Sequence, residues 1–291
     1  MAEYESLRAV MALPTLMGLG HMVPVMGAVY ATTGSNSLPL SLLGMIGGST
    51  ILVDSYDTYK DLPLSKRPST WLWRLWLGFL CGIIIGGTVS SGLDAAISMY
   101  RYFAIGLLWG QPCVMLWSKS GFRLYKPKAL FREAKSLVAA SCLAYVTSGT
   151  AMVYCCQAAR MGCLTQSMRT RVLALSFVYQ FLRETTCDVR DIAEDEREGM
   201  KTLPVRLGKT NTMALLAILT LFMDTWLTGA VSINNTGLVM QPASLAGGLV
   251  RSVGTVLAYW QILEYPKGHL LSWGCMSLLG LAPLLWAVAM L

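Results

Sequence analysis

Long apolar runs are the feature that most restricts how this chain can fold. Of its 291 residues, 54% are hydrophobic and only 13% are charged, about half the charged fraction of an ordinary soluble domain. One helical crossing of the bilayer core, roughly 30 Å thick, needs about 20 apolar residues. Runs of that kind recur along the whole chain and leave no stretch for a soluble domain. The sequence therefore predicts an all-α, polytopic membrane protein with a single transmembrane domain over residues 1–291.

The apolar runs predict about nine transmembrane helices around a central cavity. Their expected bounds are 7–30, 39–57, 72–91, 99–117, 136–157, 168–186, 211–232, 243–263 and 270–290. Glu3 and Glu5 precede Arg8, so the chain start lacks the basic region of a cleavable signal peptide, and we expect the first helix to be retained. The eight cysteines show neither a CxxC nor a Cys/His zinc spacing, which predicts small buried side chains.

Lys and Arg are unevenly distributed among the loops between these helices. The basic loops follow helices 2, 4, 6 and 8. The loop after helix 2 contains Lys60, Lys66 and Arg67, and the loop after helix 4 contains Lys119, Arg123, Lys126, Lys128, Arg132 and Lys135. The loop after helix 6 contains Arg190, Arg197, Lys201, Arg206 and Lys209, and the loop after helix 8 contains Lys267. The alternate loops hold only Arg160. The positive-inside rule therefore predicts that the basic loops and the N-terminus face the cytosol. The net charge of +7 fits loops beside anionic membrane lipid and needs no nucleic acid partner.

Ten of the sixteen acidic residues lie in two short segments, each at the C-terminal end of a predicted helix. The two segments contain the triplets Asp54, Asp57 and Asp61 in VDSYDTYKD, and Asp188, Asp191 and Asp195 between Glu184 and Glu198. Both triplets have the spacing D-x-x-D-x-x-x-D. Because positions i, i+3 and i+7 share one face of a helix, each triplet predicts a stripe of carboxylates.

Such carboxylates repel one another and are disfavoured at a helix C-terminus beside the membrane, so a cation must compensate them. They could be two solvated helix ends paired with local Lys and Arg. That alternative does not explain why the same spacing recurs at two corresponding helix ends. We therefore expect the stripes to face each other and bind Mg²⁺, which joins carboxylate oxygens to substrate phosphates. With apolar helices for its tail, the predicted substrate is a polyprenyl diphosphate.

The two motifs resemble those of the UbiA superfamily of intramembrane prenyltransferases, which includes UbiA-type terpene cyclases. The second motif, CDVRDIAEDEREGMKTLPVRLGK from Cys187 to Lys209, matches closely through its trailing G-x-x-T-L-P-V-R-L-G. The first motif, followed by Arg67–Pro68, matches less well. Val53 stands where the family has Asn, and STWLWRLW replaces a Gly/Ser signature, which leaves the metal count of the first site open. The resemblance also covers the nine-helix plan and a basic loop after helix 4.

Residue roles follow from the resemblance alone. It implies that the principal Mg²⁺ ligands and catalytic residues are Asp57, Asp61, Asp191 and Asp195, supported as metal ligands by Asp54 and Asp188. It implies that the diphosphate is bound by Arg67, Arg123, Lys126, Arg190 and Lys201. Aromatic faces stabilise a carbocation. The candidates for that role are Tyr56, Trp109, Tyr145, Tyr154, Phe177 and Tyr179.

The resemblance implies an Mg²⁺-dependent membrane enzyme that ionises an isoprenoid diphosphate such as farnesyl diphosphate. The allylic cation either closes on its own double bonds, as in a terpene cyclase, or is captured by an aromatic or other lipophilic acceptor. Ionisable groups within the helices are few, namely His21, expected to be a packed or interfacial residue, and Asp224. This scarcity and the altered first motif favour, by a narrow margin, a cyclase of specialised terpenoid metabolism over a prenyltransferase.

A polytopic transporter is the third alternative. Transporters place polar groups near the midplane of the membrane. Here the acids lie at the membrane edge, where the active site is expected to face the cytosol, and the endoplasmic reticulum is one candidate compartment.

Overall fold

A computed structural model describes residues 2–35, 37–110, 113–118, 121–125, 127–130, 134–197, 199–234, 237–265, 276 and 281–291. The helices are α1 (2–33, with a turn at His21), α2 (40–61), α3 (Thr70–Ser91), α4 (Leu93–Gly110), α5 (Pro127–Leu130), α6 (135–158), α7 (Gln166–Arg190), α8 (Ile192–Arg197), α9 (Leu203–Leu227), α10 (Pro242–Ile262) and α11 (Ala282–Ala289). Segments of π-helix interrupt α1, α2 and α6 at Arg8–Ala12, Leu43–Gly47, Tyr145–Gly149 and Tyr154–Ala158.

Two short antiparallel hairpins lie in loops between the helices. Strand β1 (Val114–Ser118) pairs with β2 (Gly121–Tyr125), and β3 (Val231–Asn234) pairs with β4 (Gly237–Met240). The all-α expectation is confirmed for the body of the chain. Four described helices are long and apolar enough to cross a membrane, namely Tyr4–Thr33, Thr70–Ser91, Lys135–Ala158 and Leu203–Leu227. The count of nine stays a prediction, since much of the last expected helix, 270–290, lies outside the described residues.

Two predicted helix bounds are wrong. The fourth helix, expected over 99–117, runs from Leu93 to Gly110 and is followed by β1. The sequence places Pro112 just after it, and proline lacks the amide hydrogen that a helix interior needs. The seventh helix, expected over 211–232, ends at Leu227 before β3. A short helical segment from Leu203, with Pro204 in its first turn, precedes it across a break at Gly208 (φ 75°, ψ 169°).

The two acidic segments lie at the same end of the molecule, because Asp54 near the end of α2 interacts electrostatically with the Arg183–Glu184 pair near the end of α7. The Ser6 hydroxyl donates to the carbonyl oxygen of Lys66 at 2.6 Å, which brings the start of α1 beside the loop after α2. Lys135 Nζ at the start of α6 lies 2.7 Å from Asp188 Oδ1 in the last turn of α7. The predicted side of each acidic helix end therefore agrees with the packing.

The opposite end carries a disulfide that the sequence did not indicate. Cys156 and Cys163, expected to be buried hydrophobic side chains, are joined across the α6–α7 loop. Within that loop, a Cβ on Gly162 would lie 2.9 Å from the carbonyl oxygen of Thr32 at the end of α1, so only glycine fits. The bond was missed because its spacing matches no metal or redox motif.

Glycines bring α2 and α3 into close contact below the first acidic segment. A Cβ on Gly44 would lie 2.9 Å from the Ile83 carbonyl oxygen, and a Cβ on Gly87 would collide with the backbone amide of Met45. Small residues permit such backbone approach between membrane helices. The packing fixes the helix that carries Asp54 and Asp57.

A buried ionic network joins α7, α9 and α10 and packs against Trp286 of α11. Asp224 Oδ2 accepts hydrogen bonds from Tyr179 Oη at 2.8 Å and from Arg251 Nε at 3.1 Å, and its Oδ1 lies 2.5 Å from Arg251 Nη2. The guanidinium lies over the Trp286 ring, 4.9 Å from its centroid. Asp224, one of the two ionisable groups singled out within the helices, is therefore a structural partner of Arg251.

Removing one member of this network tests its contribution to stability. We expect Asp224→Ala to lower the free energy of unfolding by about 3–5 kcal/mol, because it leaves a buried guanidinium unpaired. Tyr179→Phe removes one hydrogen bond and should lower it by about 1 kcal/mol. Denaturant unfolding in detergent measures both values. An Asp224→Leu, Arg251→Leu double variant should regain most of the loss, and equal losses for the two single variants would contradict this account.

Alkylation of the protein in the native membranes from which it is isolated tests the disulfide. We expect a maleimide to modify Cys156 and Cys163 only after reduction, with peptide mass spectrometry as the readout. Cys113, an exposed thiol beyond α4, is the internal control and should react without reduction. Equal labelling of all three cysteines before reduction would show that the bond does not form.

Candidate functional site

The first acidic segment occupies the last turns of α2 and contributes two described carboxylates to one end of the protein. Asp54 lines a cavity, whereas Asp57 is exposed and forms an ion pair with Lys60 in which Asp57 Oδ1 lies 3.0 Å from Nζ. The side chain of Asp61, at the end of the same helix, lies outside the described residues. The expected spacing of Asp54 and Asp57 along a single helix is present.

Arg67 and an aromatic stack hold the turn that follows this segment. Arg67 Nη2 donates to the Lys60 carbonyl oxygen at 2.8 Å, and Arg67 Nε donates to the Leu62 carbonyl oxygen at 3.0 Å, so the guanidinium caps the end of α2. Tyr59 lies between Arg67, 5.1 Å from the ring centroid, and Trp73, stacked at 4.3 Å. The tryptophan-rich STWLWRLW segment thus supports the first motif.

The second acidic segment runs over two helices rather than one. Helix α7 ends at Arg190 and α8 begins at Ile192, with Asp191 between them at φ −99° and ψ 12°. Asp188 therefore lies in the last turn of α7, and Asp195 lies in α8. The predicted unbroken stripe is wrong in this detail, since the helix breaks at its middle carboxylate.

Lys135 at the start of α6 holds the outer two acids of this segment. Its Nζ lies 2.7 Å from Asp188 Oδ1 and 3.4 Å from Asp195 Oδ1. The remaining oxygens accept hydrogen bonds from Ser136 Oγ, 2.6 Å from Asp188 Oδ2, and from Thr202 Oγ1, 3.1 Å from Asp195 Oδ2. Both carboxylates are buried, and each of their oxygens has a partner.

The other predicted site residues are more accessible. Asp191 is partly exposed, and its Oδ1 lies 3.3 Å from Arg190 Nε. Arg123 on β2 and Lys201 before α9 are exposed, and Lys126 lies outside the described residues. Within the described part of the chain, no three His, Cys, Asp or Glu side chains approach closely enough to hold a metal ion. The predicted convergence of the two stripes on one metal centre thus stays a prediction.

An apolar chamber lies beside Asp54 and Asp57, between α1, α2, α4 and α6. It consists of a cavity of about 180 Å³ and an adjoining one of about 300 Å³. Their linings share Val53, Phe103, Gly106 and Leu107. Asp54 lines the first cavity and Asp57 the second, so each carboxylate borders apolar walls, and the two adjoining cavities are together called the chamber. Val53, which replaces the family's Asn, makes the wall beside Asp54 more apolar.

A buried arginine and its partly buried acidic partner, to which the sequence alone assigned no role in the site, lie next to this chamber. Arg183 Nη1 in α7 lies 2.5 Å from Glu184 Oε1, and Arg183 Nη2 lies 3.8 Å from Met17 Sδ in α1. Both residues are close enough to Asp54 to interact with it electrostatically, which links the first acidic segment to the helix that carries the second. Their position about one helical turn before Asp188 is the sequence feature that could have indicated a place near the site.

His21 and a pair of aromatic residues were also missed as chamber residues. His21, Tyr102 and Phe103 all line the first cavity. Tyr145, one of the aromatic residues singled out by sequence, stacks on Tyr102 at 4.4 Å and supports it from behind. Tyr179, another of those residues, belongs instead to the Asp224 network.

The arrangement provides a polar mouth and an apolar interior. The cavity lining follows α6 from Val138 to Val146, a separation of eight residue rises and hence about 12 Å of helix. The end of the molecule at which both acidic segments lie is called the acid end. Lys135 at the start of α6 lies at the acid end, so Val146, further along the same helix, lies deeper in the cavity. An amphiphile with an anionic head and a hydrocarbon tail suits such a site, provided that a divalent cation neutralises the head and the carboxylates.

Comparison with known proteins agrees with this geometry. A model of the VviA prenyltransferase family matches residues 4–291. The fold is similar to that of a UbiA homolog from Archaeoglobus fulgidus whose structure was solved bound to Cd²⁺, with a TM-score of 0.51, 12% identity, and coverage of 98% of this chain and 99% of the homolog. No curated protein shows significant sequence similarity to the chain. With its apolar helices, this integral membrane protein belongs to the VviA prenyltransferase family, and its motifs resemble those of the UbiA superfamily.

Proposed function

We propose that this chain is an Mg²⁺-dependent prenyltransferase that moves a prenyl group from an isoprenoid diphosphate to a hydroxyl-bearing aromatic acceptor. Family membership already makes it an enzyme of isoprenoid diphosphates. The observation that carries the proposal is the apolar chamber with Asp54 and Asp57 on its wall. We propose that residues 1–291 act as one domain, because the family model and the fold match both cover nearly all of them.

The sequence alone favoured a terpene cyclase by a narrow margin, and the family match supports transfer better. The transporter alternative loses its basis, because the family is one of enzymes. Cyclisation is the second candidate, and the observation that favours it is Val53. Its apolar side chain replaces the family's amide within the chamber wall, and a dry wall favours closure of the cation on itself.

The metal would be held by oxygen ligands from both acidic segments. The proposed ligands are Asp57, Asp61, Asp191 and Asp195, supported by Asp54 and Asp188. Asp54, Asp57 and Asp191 fit directly, since the first two line the chamber and the third is partly exposed. Asp188 and Asp195 would have to bind the metal through carboxylates that also form ion pairs with Lys135. When bound, Mg²⁺ neutralises the diphosphate and stabilises it as a leaving group.

Basic residues at the acid end would complete the diphosphate site. The proposed set is Arg67, Arg123, Lys126, Arg190 and Lys201. Arg190 adjoins Asp191, so it can reach an anion bound by that carboxylate. Arg67 caps α2 through two backbone carbonyls and keeps one edge of its guanidinium beside the first acidic segment. The chamber walls would exclude water from the cation, and Tyr102 and Phe103 offer aromatic faces to it.

We propose that the acid end faces the cytosol. The basic loops lie at that end, as the positive-inside rule requires for cytosolic loops. The Cys156–Cys163 disulfide lies at the other end, and disulfides persist in oxidising compartments such as the lumen of the endoplasmic reticulum. Two independent features thus support the same orientation.

Carboxylate substitutions test the metal site. We expect Asp57→Ala and Asp191→Ala each to lower turnover of farnesyl diphosphate by about 1000-fold, since metal stabilisation of the leaving group supplies several kcal/mol. Diphosphate release from purified protein in Mg²⁺ is the measurement. Asp94→Ala is the matched control, because Asp94 is exposed at the start of α4 at the opposite end. Full turnover in either the Asp57 or the Asp191 variant, with folding unchanged, would remove that residue from the metal site.

Product analysis distinguishes transfer from cyclisation. We expect farnesyl diphosphate, Mg²⁺ and hydroquinone to give a farnesylated hydroquinone, because the acceptor captures the cation in the chamber. Gas chromatography and mass spectrometry of the organic extract make the comparison with and without hydroquinone. A cyclic sesquiterpene hydrocarbon formed equally in both reactions would show that the enzyme is a cyclase.

A further inference from the structure

His21 is a buried histidine in an unusual setting. It occupies the single turn residue of α1, at φ −66° and ψ −12°, and its exposed fraction is only 4%. Its Nδ1 atom is buried and has no hydrogen-bond partner among the described residues. The side chain lines the same cavity as Asp54, together with apolar residues such as Val146 and Cys142.

An unpaired buried imidazole nitrogen needs an explanation, because leaving a polar atom unsatisfied costs about 1–3 kcal/mol. A histidine that served only for packing would be expected to find a carbonyl or hydroxyl partner. Two hydroxyl residues share this cavity. Thr50 is bonded instead to the carbonyl oxygens of Ile46 and Gly47 in its own helix, and Tyr102 stacks on Tyr145 without a hydrogen bond to Nδ1. The Nδ1 atom of His21 can therefore form a hydrogen bond with a group that enters the cavity.

The charged groups around His21 come from α2 and α7. Arg183 is close enough to act on His21 electrostatically, and its charge is offset by the ion pair with Glu184. Asp54 lines the same cavity from α2. A proton taken up by the imidazole would thus share the cavity with the Asp54 carboxylate.

We propose that His21 is the base of the prenyl transfer and accepts the proton that the acceptor hydroxyl loses. The inference rests on the proposed function. In the step, the bond between C1 of the prenyl group and the diphosphate oxygen breaks first, and the acceptor oxygen then bonds to the C1 cation. The electron pair of the broken bond leaves with the diphosphate, and the hydroxyl proton moves to the imidazole nitrogen. The acceptor is therefore a lipophilic molecule with an aromatic hydroxyl, bound at the His21 wall of the chamber.

Coupling between ionisation and transfer tests this role. Purified protein is given farnesyl diphosphate, Mg²⁺ and hydroquinone, and both released diphosphate and farnesylated hydroquinone are measured. His21→Asn and His21→Gln are compared, because their amides mimic the Nδ1 and Nε2 positions without taking up a proton. Thr15→Val is the matched control on the same helix, since the Thr15 hydroxyl is bonded to the Met11 carbonyl oxygen.

We expect both His21 variants to keep diphosphate release within about threefold of the wild type. Product formed per diphosphate released should fall at least about 100-fold, as for loss of a general base, and farnesol from capture by water should rise in its place. An unchanged ratio of product to diphosphate in either folded variant would overturn the role of His21 while leaving prenyl transfer intact. Failure of the wild-type protein to release diphosphate would instead contradict the proposed function itself.

Discussion

The need to balance carboxylates at the end of apolar helices shapes the whole acid end of this protein. Lys135 lies against Asp188 and Asp195 at once and so ties the start of α6 to the end of α7 and to α8. These acids are buried beside the membrane boundary, where an unpaired charge is strongly unfavourable. The same requirement explains the capped turn after α2 and the Arg183–Glu184 pair beside Asp54.

The chamber depends on this balance, because its walls are apolar along most of their length and charged only at one end. Helices α1, α2, α4 and α6 form the walls, and glycine contacts between α2 and α3 fix the helix that carries Asp54. A prenyl chain can lie among Phe103, Leu107 and Val146 while its diphosphate stays at the acid end. Charge is thus neutralised at the acid end of the site, whereas water is excluded by the apolar walls of the chamber. In the proposed mechanism, His21 places a proton acceptor on one of these apolar walls.

Local patterns predicted the helices, the common end of the two acidic segments and the family, because apolar runs, loop charges and motif spacing are properties of neighbouring residues. Contacts that join distant segments could not be predicted in this way. Lys135 was counted as a loop charge, yet its partners lie in α7 and α8. His21 was expected to be a packed or interfacial residue, and only the packing of α1 against α2 and α6 places it on the chamber wall. The Cys156–Cys163 bond and the hairpins after α4 and α9 likewise depend on tertiary structure.

The central claim is that carboxylates from α2 and from the α7–α8 segment share divalent metal with one diphosphate. The most direct measurement is an anomalous difference map from crystals grown with Mn²⁺ and a non-hydrolysable farnesyl diphosphate analogue, since Mn²⁺ replaces Mg²⁺ at oxygen ligands. The account predicts anomalous peaks about 2–2.2 Å from carboxylate oxygens of both segments, with the diphosphate bridging them. Metal bound to only one segment, or a diphosphate bound away from both, would contradict it.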